Sequence, residues 1–127
     1  MTTPTDAEFL AVLDHHPKLH LLGYGPARGL RINLPTERAA IHAPHALNQA
    51  RQAADWITER MQPCSPRGKR LLTSYGAKHF MQAETGIYVL NGPFILAAFA
   101  AGISLDTTRY NPTLHAVPRP LPEERHP

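Results

Sequence analysis

The chain has 127 residues, 43% hydrophobic and 18% charged, enough apolar material for one core and too little charge for a disordered chain. Thirteen Lys+Arg against ten Asp+Glu give a formal charge of +3, and no apolar run reaches the ~18 residues of a membrane span. The opening MTTPTDAEFL lacks the basic region and unbroken apolar stretch of a signal peptide, and the single Cys64 has no disulfide partner. The expectation is a cytoplasmic protein with no membrane partner.

Thr5-Asp6-Ala7-Glu8 has the form of a capping box, which predicts a helix over about 6–15, ended by Pro17. From Leu19 to Ala43 the runs LHLLGYG, GLRINL and AAIHA, separated by Gly25-Pro26 and Pro35-Thr36, read as a three-stranded antiparallel meander. Leu30, Ile32 and Leu34 alternate with Arg31 and Asn33, the period of a sheet with one wet face. Pro44 sits at the first position of a long helix whose apolar stripe is Leu47, Ala50, Ala54, Ile57 and Met61.

PCSPRGKR then reads as a basic Pro/Gly connector. A helical hairpin is expected beyond it. Its first helix, about Ser74–Glu84, has Leu72, Tyr75, Phe80 and Ala83 as its buried side. Its second starts at Pro93 after an Asn91-Gly92 turn, is apolar nearly all round, and stops at Gly102. Five of the 13 prolines fall in the last sixteen residues, which predicts a Pro-rich tail without regular structure. The fold class is therefore α+β. Its parts are a unit at 1–62, a linker at 63–70, a helix-turn-helix-like hairpin at 71–105 and a tail at 106–127, together one compact domain.

The excess charge is local. Residues 1–62 balance six acids against six Lys/Arg, whereas 63–80 contain Arg67, Lys69, Arg70 and Lys78 and no acid. Such a patch suits phosphate backbones or an acidic protein surface. The second helix carries none of the Arg, Lys, Asn or Gln that a reader helix uses on base edges over 93–101. Contacts to DNA or RNA are therefore expected from Arg67, Lys69, Arg70, Ser74, Tyr75, Lys78, His79, Gln82 and Asn91, mostly to phosphate.

Other chemistry fits less well. His16/His20 and His42/His45 have helical ligand spacing, but Pro17 and Pro44 interrupt both pairs, so no metal is expected. Gly23, Gly25 and Gly29 follow an apolar strand without the helix that a dinucleotide site needs, and no cofactor is expected. Ser74 and Lys78 are one residue too far apart for a Ser-x-x-Lys pair. Catalysis by Ser74, Lys78 or His79 requires that they meet in a pocket, and the leading expectation is not an enzyme.

The run SYGAKHFMQAETGIYVLNGPFILAAFAAG, residues 74–102, resembles small accessory proteins of phages and integrative or conjugative elements that carry Ser-Tyr-Gly-x-Lys-His followed by Tyr-x-x-Asn-Gly-x-Phe-Ile. The matched positions are Ser74, Tyr75, Lys78, His79, Tyr88, Asn91 and Gly92; Leu90 and Pro93 depart from the pattern. The resemblance implies an accessory role in a mobile genetic element, without a reaction. The alternative partner is a host protein complex, which an anti-defence, anti-CRISPR-like inhibitor would occlude through Tyr88, Leu90 and Tyr110. A homodimer through the apolar 87–101 segment is also compatible with the composition.

Overall fold

Thr5 caps the first helix, α1 (Asp6–His15), in the computed structural model, which describes residues 3–68 and 70–120. Its hydroxyl accepts from the Glu8 amide while Glu8 returns a carboxylate oxygen to the Thr5 amide, which satisfies two of the donors a helix start leaves open. Phe9 and Leu13 are fully buried. The chain then turns through two short antiparallel strands, β1 (Leu19–His20) and β2 (Gly23–Tyr24).

Here the three-stranded meander fails. Residues 25–33 form no strand, and AAIHA falls at the end of a helix, α2 (Leu34–Ala40), and the turn after it. The Asn33 side chain accepts from the Thr36 amide, and Pro35 occupies the first turn, where its missing N–H costs nothing. What reads as turn chemistry at Pro35-Thr36 is a helix start. The alternation at 30–34 has no partner strand, and Leu30 is 58% exposed.

α2 buries no residue yet is firmly held. The Arg38 guanidinium donates to the carbonyls of Leu13 and His16 at the end of α1 and to that of Leu19 in β1, and so ties α2 to both. A cation at a helix C-terminus also opposes the negative end of its dipole.

α3 (Pro44–Arg60) follows with the expected stripe: Leu47, Ala50, Ala54, Ile57 and Met61 are all buried. It packs on α5 (Asn91–Ala100), which also touches α1, β1, β2 and α4 (Ser74–Thr85). Every residue of α5 from Asn91 to Ala98 is buried within the chain. Alanines at 50, 53 and 54 on α3 and at 97 and 98 on α5 belong to this core and let the two backbones approach closely.

Asn91 and Gly92 belong to the first turn of α5 and are not a preceding turn, so Pro93 stands at the third helical position. A Cβ on Gly92 would lie 2.0 Å from the His20 carbonyl oxygen and 2.5 Å from that of Leu21. Glycine is required there by contact. At the other end Gly102 takes φ +86°, the left-handed residue expected after a helix.

The chain after 104 is also ordered differently from a loose tail. β4 (Leu105–Asp106) pairs with β5 (Thr113–Leu114), and β6 (Ala116–Pro118) pairs with β3 (Met61–Pro63). Leu114 and Ala116 are fully buried, and the Leu114 amide donates to the Leu72 carbonyl at 2.8 Å. Pro63 and Pro118 stand at the ends of their ladder, where a missing donor is tolerated. The rest of the Pro-rich stretch, 121–127, lies outside the described residues.

Candidate nucleic-acid interface

α4 starts at Thr73, whose hydroxyl accepts from the Gly76 amide at 3.1 Å, and ends at Gly86 with φ +76°. Its buried face is Ser74, Ala77, Lys78 and Met81, positions i, i+3, i+4 and i+7. The expected side, Leu72, Tyr75, Phe80 and Ala83, is corrected by this: Tyr75 and Ala83 are exposed, and Leu72 and Phe80 half-buried. Two polar residues on the true inner face hide it from a reading of apolarity.

Those two are satisfied in different ways. Ser74 Oγ donates to Asn91 Oδ1 at 2.8 Å, and Asn91 Nδ2 donates to Asn111 Oδ1 at 2.8 Å and to the Leu22 carbonyl at 3.2 Å. This buried network ties α4, α5, the β1–β2 turn and the 110–112 segment together. Ser74 and Asn91 are thereby turned into the interior.

Lys78 is 8% exposed and has no carboxylate partner among the described residues. Its Nζ lies over two aromatic rings instead, 5.1 Å from the centroid of Tyr75 and 4.9 Å from that of Tyr88. Burial pushes its amine below the ordinary lysine value. Tyr75 is 44% and Tyr88 55% exposed, and the His79 ring stands edge-on to Tyr75 at 4.3 Å.

The loop that carries Tyr88 is anchored on both sides. The Ile87 amide donates to Thr85 Oγ1 at 3.0 Å, Val89 is buried, and the Leu90 amide donates to Gln49 Oε1 at 2.8 Å. Tyr88, between the buried Val89 and the anchored Ile87, points outward and is exposed. Sequence reasoning leaves Tyr88 out of the nucleic-acid set because only closure of the hairpin brings it to Lys78.

Arg67 and Arg70 are exposed in the connector, and Gln82 is exposed on α4; Lys69 lies outside the described residues. Arg70 holds φ +62°, a left-handed conformation that costs an L-residue roughly 1–2 kcal/mol. The one acid of α4, Glu84, is engaged elsewhere. It accepts from Arg60 Nε at 2.7 Å, Arg60 Nη2 at 3.0 Å and Trp56 Nε1 at 3.0 Å, and the Arg60 hydrogen bond holds its carboxyl below the ordinary range. Tyr75, Lys78, His79 and Tyr88 thus cluster on the hairpin, and Arg67 and Arg70 stand exposed in the loop before it.

His20 and His16 have separate surroundings. His20 is fully buried, with Nε2 on the Gly25 carbonyl at 2.9 Å and Nδ1 accepting from the Leu22 amide at 3.2 Å. His16 stacks on Phe99 at 4.0 Å and meets the Tyr24 hydroxyl through Nδ1. Among the described residues no three His, Cys, Asp or Glu side chains converge as metal ligands. A shallow hollow lined by Ala11, Val12, His15, His16 and Phe99 includes none of the residues expected to contact nucleic acid.

No described helix is long and apolar enough to cross a membrane. Comparison with known proteins gives no match to a family model, to a curated protein or to a solved structure, so function has to be read from the residues themselves.

Proposed function

We propose that the protein is a non-catalytic accessory protein of a mobile genetic element that binds nucleic acid through the 67–79 patch. The observation that carries this reading is an acid-free stretch, 63–80, that exposes Arg67 and Arg70 and leads into a helix whose outward face bears Tyr75 and His79. Basic side chains beside aromatic ones are the composition that nucleic-acid surfaces require. Ser74 is committed to Asn91, which favours binding over nucleophilic chemistry. The mobile-element setting comes from the resemblance of residues 74–102.

The test is an electrophoretic mobility shift at two salt concentrations with wild type and Arg70→Glu. Counterion release from several phosphates makes affinity fall steeply with salt, and Arg70→Glu weakens binding further. Arg70→Gly is the control for folding, because it removes the charge and relieves the left-handed backbone at once. Binding that ignores both substitutions removes the patch from the function.

Exposed Leu30, between Arg28 and Arg31 in the irregular 25–33 segment, favours a second reading, a protein-binding inhibitor of a host complex. Tyr88 remains available as an anchor, whereas Leu90 and Tyr110 are half-buried. Stoichiometric capture of one host complex, lost in Leu30→Asp, supports that reading. Recovery of nucleic acid alone rejects it.

A further inference from the structure

α5 is buried along Asn91–Ala98, so the second helix of this hairpin has no face to lay in a major groove. The surface next to it offers two exposed rings instead. Each lies about 5 Å from the same Lys78 nitrogen, so their centroids are no more than about 10 Å apart. Lys78 lies against both rings, yet Tyr75 stays 44% and Tyr88 55% exposed. The rings are also held before any ligand arrives: Tyr75 by α4 and the His79 edge, Tyr88 by the anchors at Ile87, Val89 and Leu90. Fixed aromatic side chains lose little freedom on binding.

Paired bases in a duplex present their edges, not their faces, to a protein, whereas unpaired bases stack on aromatic rings whatever their sequence. We propose, resting on the nucleic-acid reading above, that the ligand is single-stranded: unpaired bases stack on Tyr75 and Tyr88, and the phosphates of the same strand meet Arg67 and Arg70. Charge complementarity selects the polyanion, and the two rings select the unpaired form. Lys78 acts as a positioning residue that holds the rings together.

The experiment is fluorescence anisotropy of labelled oligothymidine, oligouridine and a mixed-sequence DNA duplex with wild type, Tyr75→Ala, Tyr88→Ala, Tyr75→Phe, Tyr88→Phe and Arg70→Glu. Both tyrosines are exposed, so the variants fold, and circular dichroism checks this. The single strands bind more tightly than the duplex; each Tyr→Ala weakens them roughly 5- to 100-fold, and each Tyr→Phe restores binding because the ring is what stacks. Ring-proton shifts of Tyr75 and Tyr88 on adding oligothymidine report the contact directly. Duplex binding equal to or tighter than single-strand binding, lost in Arg70→Glu but indifferent to Tyr→Ala, overturns this inference and leaves the nucleic-acid reading standing. Absence of binding to all three probes overturns both. The ratio of oligothymidine to oligouridine affinity separates DNA from RNA as the source of the strand.

Discussion

The two helices of the hairpin have opposite duties. α5 is apolar all round and buried from Asn91 to Ala98, whereas α4 buries one face and turns Tyr75, His79 and Gln82 to solvent. A helix that fills the core has no face left for a ligand, so the recognition we propose falls to its neighbour and to the loop between them. The residues of 74–91 divide accordingly: Ser74 and Asn91 join the helices, while the exposed Tyr75 and Tyr88 stand around the buried Lys78.

Substitution at Gly92 tests the α5 side most severely. Gly92→Ala forces a methyl group against the His20 and Leu21 carbonyls and costs about 3 kcal/mol or more in urea unfolding. A small loss would mean that α5 can shift away from the β1–β2 turn. Asn91→Ala leaves Ser74 Oγ and Asn111 without their buried partner and costs about 2–3 kcal/mol, read in the same assay.

Glu84→Gln probes the clamp that joins α4 to α3. It costs about 0.5–1 kcal/mol, at the low end because solvent reaches the pair. The folded Glu84 carboxyl titrates below its unfolded value, so its contribution is complete above the ordinary carboxylate range and is lost as pH falls through the depressed folded value. Wild type and Glu84→Gln therefore converge in stability on acidification, which thermal melts at descending pH will show.

His16 sharpens the same contrast at the far end of α5, where it stacks on Phe99. Its pKa is lowered first by burial and then by His15 and Arg38, so the folded state favours the neutral ring. Stability is full above the ordinary imidazole value near ~6.5 and declines as pH falls toward the folded value. Ring-proton titration by NMR should place its midpoint below that value. The smallest effect belongs to the outward face of α4. Tyr75→Ala changes unfolding free energy by about 0.5 kcal/mol, because the half-exposed ring gives up one of the two cation–π contacts of Lys78 while Tyr88 keeps the other. A larger loss would show that the ring is part of the fold.

Local signals in the sequence carry much of this fold. The capping box at Thr5, Pro44 at the start of α3, the stripe from Leu47 to Met61 and Gly102 after α5 all act within one or two helical turns, so they can be read without a partner. Period-2 alternation at Leu30, Ile32 and Leu34 is a weaker sign. It makes a strand only when another strand lies beside it, and none does. Likewise the proline count after 106 argues against helices but does not prevent single ladder positions, which Leu114 and Ala116 take up against the core. The meander and the loose tail fail for this one reason: pairing is a property of two segments.

The candidate site divides along the same line. Its basic loop is legible as an acid-free run, since charge can be counted. Its aromatic half is not: Tyr75 looks like a core residue by apolarity, and Tyr88 lies ten residues from Lys78 in the chain. By itself the sequence determined α1, α3, α4 and α5, the apolar character of α5 and the place of the excess charge, all set by neighbouring residues, whereas α2 was hidden behind strand-like alternation. Only the tertiary structure decided that Ser74 and Lys78 face inward, that Tyr75 faces outward and that Tyr88 closes over Lys78. Burial and ring contact depend on which segments pack together, and that is settled by α5 docking between α3 and α4.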